Sequence, residues 1–305
     1  MNKYFDNKEL FLGASSTQYG SHMVMTNVAK ETKTKYINID TRFKDDYDTT
    51  TTSNHNITLP ERYTEVRNIS VMNAEIPMTY YNISSALGNN AFKITVDTTE
   101  TIVVVSDSEY TETTLVTEIN SKLPTNASIA IAAFVSKIQH VTGPTNINID
   151  FAIDEKGNLN RFGLKSSLGW LLGFRSQTYI YEGVSLTDFI TDGLTSGALV
   201  DLSGPRYLYL VVDEFTSSGN QSSFVSPLPN SLINKNILAR ISTPVQDFTS
   251  ILHANLSNGY LMTDVRSYTG KVDIQKLNVQ LINEFGKVIS LNGGDFSFCL
   301  KIQHE

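Results

Sequence analysis

Five histidines, one cysteine and a few carboxylates are the residues of this chain whose chemistry reaches beyond packing. The histidines are His22, His55, His140, His253 and His304. None stands at the HxxxH or HExxH spacing that sets two imidazoles on one helix face to grip a metal. Each therefore reads as a solvated or loop histidine, and neither a metal nor a cofactor is expected. Cys299 has no second Cys or nearby His to lower its thiol pKa, so it reads as inert. Asp213 and Glu214 end an apolar run and form the nearest approach to a hydrolase carboxylate pair. The plainer reading is a solvated strand end. Asp45, Asp46 and Asp48 lack the ligand spacing and glycine of an EF-hand and read as loop charge. No GxSxG elbow, P-loop or GxGxxG occurs. No catalytic residue is expected, and the chain does not read as an enzyme.

Bulk properties narrow the classes further. The 305 residues suffice for one large or two smaller cores. A net charge of −7 lacks the basic balance that phosphate binding needs, so nucleic acid is not an expected partner. One cysteine excludes a disulfide framework within the chain. The first residues, MNKYFDNKEL, show no apolar signal region, and no run approaches the length of a membrane span. Six Asn-x-Ser/Thr sequons, at Asn56, Asn68, Asn82, Asn126, Asn220 and Asn255, are what a chain rich in Asn, Ser and Thr produces by chance.

The elements that would position these groups are mostly strands. Residues 1–34 are polar, without sustained period, and read as a flexible N-terminal arm. Order is expected from KYINIDTRF, where Ile37 and Ile39 alternate with polar residues. NITLPERY reads as a short strand ended by Pro60, and TEVRNISVMNAEIP as a long bulged strand stopped by Pro77. FKITV and TIVVV form a hairpin. Glu112 to Lys122 is the one helix, with Leu115, Ile119 and Leu123 on one face, Thr111 as N-cap and Pro124 as stop. AAFVSKIQHV, NINIDFAID and NRFGLKS read as further strands, with a turn at Lys156-Gly157.

SLGWLLGFR holds the only tryptophan, Trp170. With Leu171 and Phe174 it is expected to close the open face of a small α+β unit as a lid on its core, with a ligand pocket as the lesser alternative. Residues 176–204 read as loop. RYLYLVVDEF reads as a buried strand with apolar residues on both faces, so it lies centrally or against a neighbouring molecule. NILARIST is another strand. Near the C-terminus, Val272 and Ile274 alternate, then Leu277, Val279 and Leu281 alternate one register later. That slip predicts a β-bulge at Gln275–Lys276.

Five segments together resemble one family: KYINIDTRFKDDY, NITLPERYTEVRNISVMNAEIPMTYYNIS, SLGWLLGFR, RYLYLVVDEF and RSYTGKVDIQKLNVQLINEFGKVISLNGGDFSFCLKI. Their order over residues 35–303 resembles the minor capsid or virion structural proteins of nucleocytoplasmic large DNA viruses, the giant viruses. The chain departs from the family pattern at Gly270-Lys271, where the family carries a proline after the glycine and this chain has Lys271. The resemblance implies a mainly β protein, a jelly-roll-like antiparallel β-sandwich. Combined with the strand pattern, it places the sandwich in residues 35–90 and 205–305, with an α+β subdomain and connecting loops inserted at 91–204. It implies a non-enzymatic capsid component, located in the virion and assembled in the host cytoplasm. The implied partners are the major capsid protein, other capsid proteins and copies of itself. Tyr80, Tyr81, Tyr207 and Tyr209 are the interface candidates, since tyrosine buries area at low entropic cost and keeps a polar tip. The arm and loop 216–235 are further candidates. The alternative is a receptor- or glycan-binding β-sandwich attachment protein using Trp170.

Overall fold

The computed structural model describes residues 32–140, 143–160, 163–215, 224, 236–244 and 247–305. The fold is mainly β and antiparallel throughout its named strand pairs, an architecture of the jelly-roll-like sandwich type with few helices. Its large sheet holds β1 (Lys33–Asp40), β2 (Asn54–Pro77), β10 (Tyr207–Asp213), β11 (Ile237–Ser242), β12 (Ile251–Asn255), β13 (Leu261–Thr263), β14 (Arg266–Asn283) and β15 (Ser297–His304). Their order is β1-β15-β2-β14-β10-β11-β13, with β12 added on β2. The first strand begins at Lys33, two residues before the expected boundary, because Lys33 and Thr34 already pair with His304 and Gln303. The rest of the predicted arm, and nearly all of loop 216–235, lie outside the described residues.

β2 is one strand of 24 residues, not two ended by Pro60. Pro60 is tolerated because it sits where the ladder to β14 is already broken, between the pairs Ile274↔Tyr63 and Lys276↔Thr58. The inward-facing residues of β2 change parity along its length: Ile57 and Leu59, then Val66, then Ile69 and Val71, then Ala74 and Ile76. Each change coincides with a register slip against β14 or β15. The bulges thus let a bending strand keep its apolar residues in a single core. The slip predicted in β14 is present: Gln275 and Lys276 are both exposed, and the buried set passes from Val272 and Ile274 to Leu277, Val279 and Leu281.

β10 lies between β14 and β11. Leu208, Leu210 and Val212 enter the main core, while Tyr209 and Val211 pack on the other face with Ile237 and Ile282. Of the two readings of its apolar faces, the central position is the one seen: both faces pack within the chain.

The inserted part has two smaller sheets. One is β4-β3-β7-β8, from β3 (Ala91–Val96), β4 (Thr99–Val104), β7 (Asn146–Asp150) and β8 (Thr178–Glu182). The other is β5-β6-β9, from β5 (Ala127–Ala132), β6 (Val135–His140) and β9 (Leu194–Thr195). Helix α1 (Glu112–Asn120) has Thr111 as its N-cap, in a capping box with Thr114, and buries Leu115 and Ile119. Residues 176–204 are not a plain loop: they carry β8, β9 and helix α3 (Val184–Asp192), which buries Leu186 and Phe189. Within NRFGLKS, Leu164–Ser166 form a 3-10 turn rather than a strand, while residues 161–162 lie outside the described residues.

SLGWLLGFR contains the short helix α2 (Leu168–Leu171), capped by Ser167, whose hydroxyl accepts from the Trp170 N–H. Its glycines serve close approach. A Cβ on Gly169 would stand 2.3 Å from the Phe151 ring, and one on Gly173, at φ +91°, would stand 2.1 Å from the Ala198 carbonyl oxygen.

Candidate functional site

The two cores meet along residues 82–90, 201–206 and 283–287. Asn82 clamps both ends of the insert: its side-chain oxygen accepts from Tyr110 N at 2.9 Å, and its amide donates to Tyr110 O at 2.8 Å and Leu202 O at 3.0 Å. The buried Lys287 ammonium donates to Leu87 O, and Asn160 donates to Gly88 O at 2.9 Å. Asn82 is also a sequon, and its burial is explained by this bonding.

Between these contacts lies a cleft of about 380 Å³. Trp170, Leu171, Lys165 and Arg175 line it from the insert, and Arg206, Asn283 and Glu284 from the large sheet and its approaches. The predicted lid residues divide here. Phe174 is fully buried and stacked on Phe151 at 4.7 Å between centroids. Leu171 is half-buried against the same core. Trp170 is half-buried at the cleft, with the Arg175 guanidinium 4.0 Å above its ring. Glu284 also lies at the cleft, and burial pushes its carboxyl above the usual range.

The interface candidates divide in the same way. Tyr80 is buried and its phenol is pushed up to about 12 by desolvation. Tyr209 is buried in an edge-on contact with Tyr207, and its phenol is likewise raised to about 12. Tyr207 is half-buried beneath Arg240, whose guanidinium carbon is 4.1 Å from the ring centroid. Tyr81 is half-buried and stacks on the partly exposed Phe248.

Four exposed apolar side chains that sequence pattern alone did not single out lie on or beside β12 and β13. Ile251 on β12, Leu256 in the turn after it, Met262 on β13 and Val265 beyond it are each more than half exposed. Among the described residues β12 pairs with β2 alone and β13 with β11 alone, so these side chains lie on or beside strands with one unpaired edge there. At the opposite margin β1 pairs, among the described residues, with β15 alone and presents an exposed Tyr36.

The titratable residues have structural partners. Glu214 is not a solvated strand end. It is buried and accepts from Arg266 Nη1 at 2.8 Å, while the guanidinium also donates to Val212 O and Asn236 O at 2.8 Å. Burial pushes the adjacent Tyr268 phenol well above its ordinary value, and the Glu214 carboxylate adds to the rise. Asp213 accepts from Phe215 N at 2.8 Å. Asp45 accepts from Thr58 N and Oγ1, tying its loop to β2. His55 and His140 are buried, His304 meets Tyr63 edge-on, His253 is exposed on β12, and His22 lies outside the described residues. Burial raises the Cys299 thiol above its ordinary value. Among the described residues, no three His, Cys, Asp or Glu side chains are grouped to hold a metal, and no helix is long and apolar enough to cross a membrane.

These features define a mainly β protein of antiparallel curled sheets, one large and two smaller, with few helices. The chain belongs to the family of unknown function DUF5901, whose model matches residues 23–277. No curated protein matches it. Among solved structures it is similar to the mavirus penton protein, at 9% identity and a TM-score of 0.41, over 90% of this chain and 100% of that one. It is also similar to a chain of the Sputnik virophage, solved by cryo-EM, at 12% identity and a TM-score of 0.41, over 89% of this chain and 98% of that one. A TM-score of 0.41 is too low to equate the folds.

Proposed function

We propose that this protein is a non-enzymatic structural component of a large icosahedral DNA virus capsid, a minor capsid protein that contacts major capsid capsomers at or near the vertices. The observation that carries the reading is the exposure of Ile251, Leu256, Met262 and Val265 on or beside β12 and β13, each of which has one edge unpaired among the described residues. Apolar side chains next to open backbone donors and acceptors offer a neighbour both buried area and strand pairing. Four of the five segments behind the giant-virus resemblance fall in or beside the large sheet, so the resemblance and these exposed side chains concern the same body. Tyr81 and Tyr207 keep surface for a contact of this kind, whereas Tyr80 and Tyr209 serve it from within by fixing the strands. The location that follows is the virion, reached by assembly in the host cytoplasm.

Sedimentation of the purified chain with major capsid trimers of the same virus tests this. The expected result is a complex that Met262→Asp combined with Val265→Asp weakens at least about tenfold, since a charge at the centre of a buried apolar patch has no partner. Trimers that sediment free of the wild-type chain at micromolar concentration of both would refute it.

A further inference from the structure

We infer that the cleft at Trp170 binds an acidic saccharide, a pyranose ring bearing a carboxylate. The inference does not rest on the capsid reading. It starts from the size and position of the cleft: about 380 Å³ at the junction of two packed units, within the range of small-molecule sites.

Charge selects an anion. Lys165, Arg175 and Arg206 line the cleft against Asp201 and Glu284, on a chain whose net charge is −7. Asp201 is already matched by Arg206, with Nη2 and Oδ2 3.0 Å apart. Glu284 sits where burial disfavours its charged form. Lys165 and Arg175 are left without a carboxylate partner among the described residues.

Arg175 is also held in place. Its Nη1 donates to Trp170 O at 2.9 Å and Phe174 O at 3.2 Å, and its guanidinium carbon lies 4.0 Å from the indole centroid. That leaves Nε and Nη2 for a ligand carboxylate, in the fork geometry that guanidinium offers such groups.

The remaining lining selects a ring with hydroxyls. Trp170 is half-buried, so part of its indole surface is open to the apolar C–H face of a sugar. Asn283 spends its side-chain oxygen on Phe285 N and Lys287 N, at 3.0 and 2.9 Å, which leaves its amide N–H groups for a hydroxyl. A bare phosphate would use the cations and ignore the indole. A neutral sugar would use the indole and ignore the cations. An acidic sugar uses both.

Trp170 is the only tryptophan in the chain, so its emission reports on the cleft alone. The test titrates the protein with glucuronate, glucose and inorganic phosphate at constant ionic strength, following that emission. A saturable change with glucuronate at about millimolar Kd is expected, with the other two at least about tenfold weaker. Because Arg175→Gln alters the ring's own surroundings, binding to it is read by isothermal calorimetry. Lys165→Gln, which leaves the indole stack intact, is read both ways. Each variant should keep the wild-type circular dichroism and weaken glucuronate about three- to tenfold or more. Glucose binding as well as glucuronate would overturn the role of the cations, and phosphate binding as well would overturn the role of the ring. No saturable change with glucuronate at up to about 50 mM, or unweakened binding by both variants, would overturn the site. A poly-glutamate peptide that binds more tightly than glucuronate would reassign the cleft to an acidic segment of a partner protein.

Discussion

Arg266→Met is the substitution that most directly probes how the large sheet is held. The guanidinium makes three bonds of 2.8 Å, to Glu214 Oε2, Val212 O and Asn236 O, and both charged side chains are at most 5% exposed. It ties the end of β10, the start of β11 and the first residue of β14 together. Methionine fills most of the volume but leaves the carboxylate buried without its partner and removes the donor from two carbonyls. Removing one member of a buried pair costs about 3–5 kcal/mol. With a urea slope near 3 kcal/mol/M, the unfolding midpoint should fall by about 1–2 M. Removing the carboxylate as well, in Arg266→Met with Glu214→Leu, should recover the unfolding free energy to within about 1–2 kcal/mol of wild type, because an apolar pair of similar volume carries no stranded charge. Urea unfolding followed by circular dichroism for wild type, both single variants and the double variant gives the coupling energy. A single-variant loss below about 1 kcal/mol, or strictly additive losses, would refute the view that the pair acts as a buried unit.

Two further perturbations address other parts of the fold. His55 is buried, and desolvation is the main cause that holds its imidazole below the ordinary value of 6.5. Between that depressed folded value and 6.5 the unfolded chain binds more protons than the folded one, so stability is full above 6.5 and declines as pH falls through this window. His55→Leu should flatten the decline, read as denaturant midpoints at pH 5 and pH 7; an unchanged pH slope would discount the histidine. Gly173→Ala should cost about 2–4 kcal/mol, the sum of a positive φ and a Cβ driven against Ala198 O. Hydrogen exchange should show the loss as faster opening around Ala198 and Asp201, and an unchanged exchange pattern would contradict the packing.

Sequence reading succeeded where period and chemistry agreed. The one-residue slip in β14 is visible because Val272 and Ile274 and then Leu277 and Val279 each alternate cleanly on either side of it. Helix α1 is visible because Thr111, Leu115, Ile119 and Pro124 give start, face and stop together. Elements were missed where one signal outweighed another. Gly183 and Gly193 read as loop punctuation, but they are the residues that bound α3, at φ +53° and +71°. AAFVSKIQHV contains the turn of the β5–β6 hairpin at Ala133 and Phe134, both at positive φ, where no Gly or Asn announces it. The Glu214–Arg266 pair joins residues 52 apart and has no local pattern at all. Trp170 illustrates the limit for the cleft: its neighbours Leu168 and Leu172 are fully buried, and only the turn of α2 puts the indole outside them.

The pairing of β1 and β2 with β15 bears on synthesis at the ribosome. Lys33 pairs with His304 and Glu75 with Ser297, so β15, which both strands flank, is made more than two hundred residues after them. At about 5–20 residues per second, that is an interval of roughly 10–50 s in which β2 has emerged and β15 has not. The inserted part closes most of its ladders locally, β3 on β4 and β5 on β6, and can fold in that interval. The nascent chain therefore carries a finished insert on an unfinished sheet, with 24 residues of apolar, bulged strand waiting for the last eight-residue strand to arrive. Those bulges, together with the charges at Glu61, Arg62, Glu65 and Arg67, make that waiting strand a poor template for the wrong neighbour.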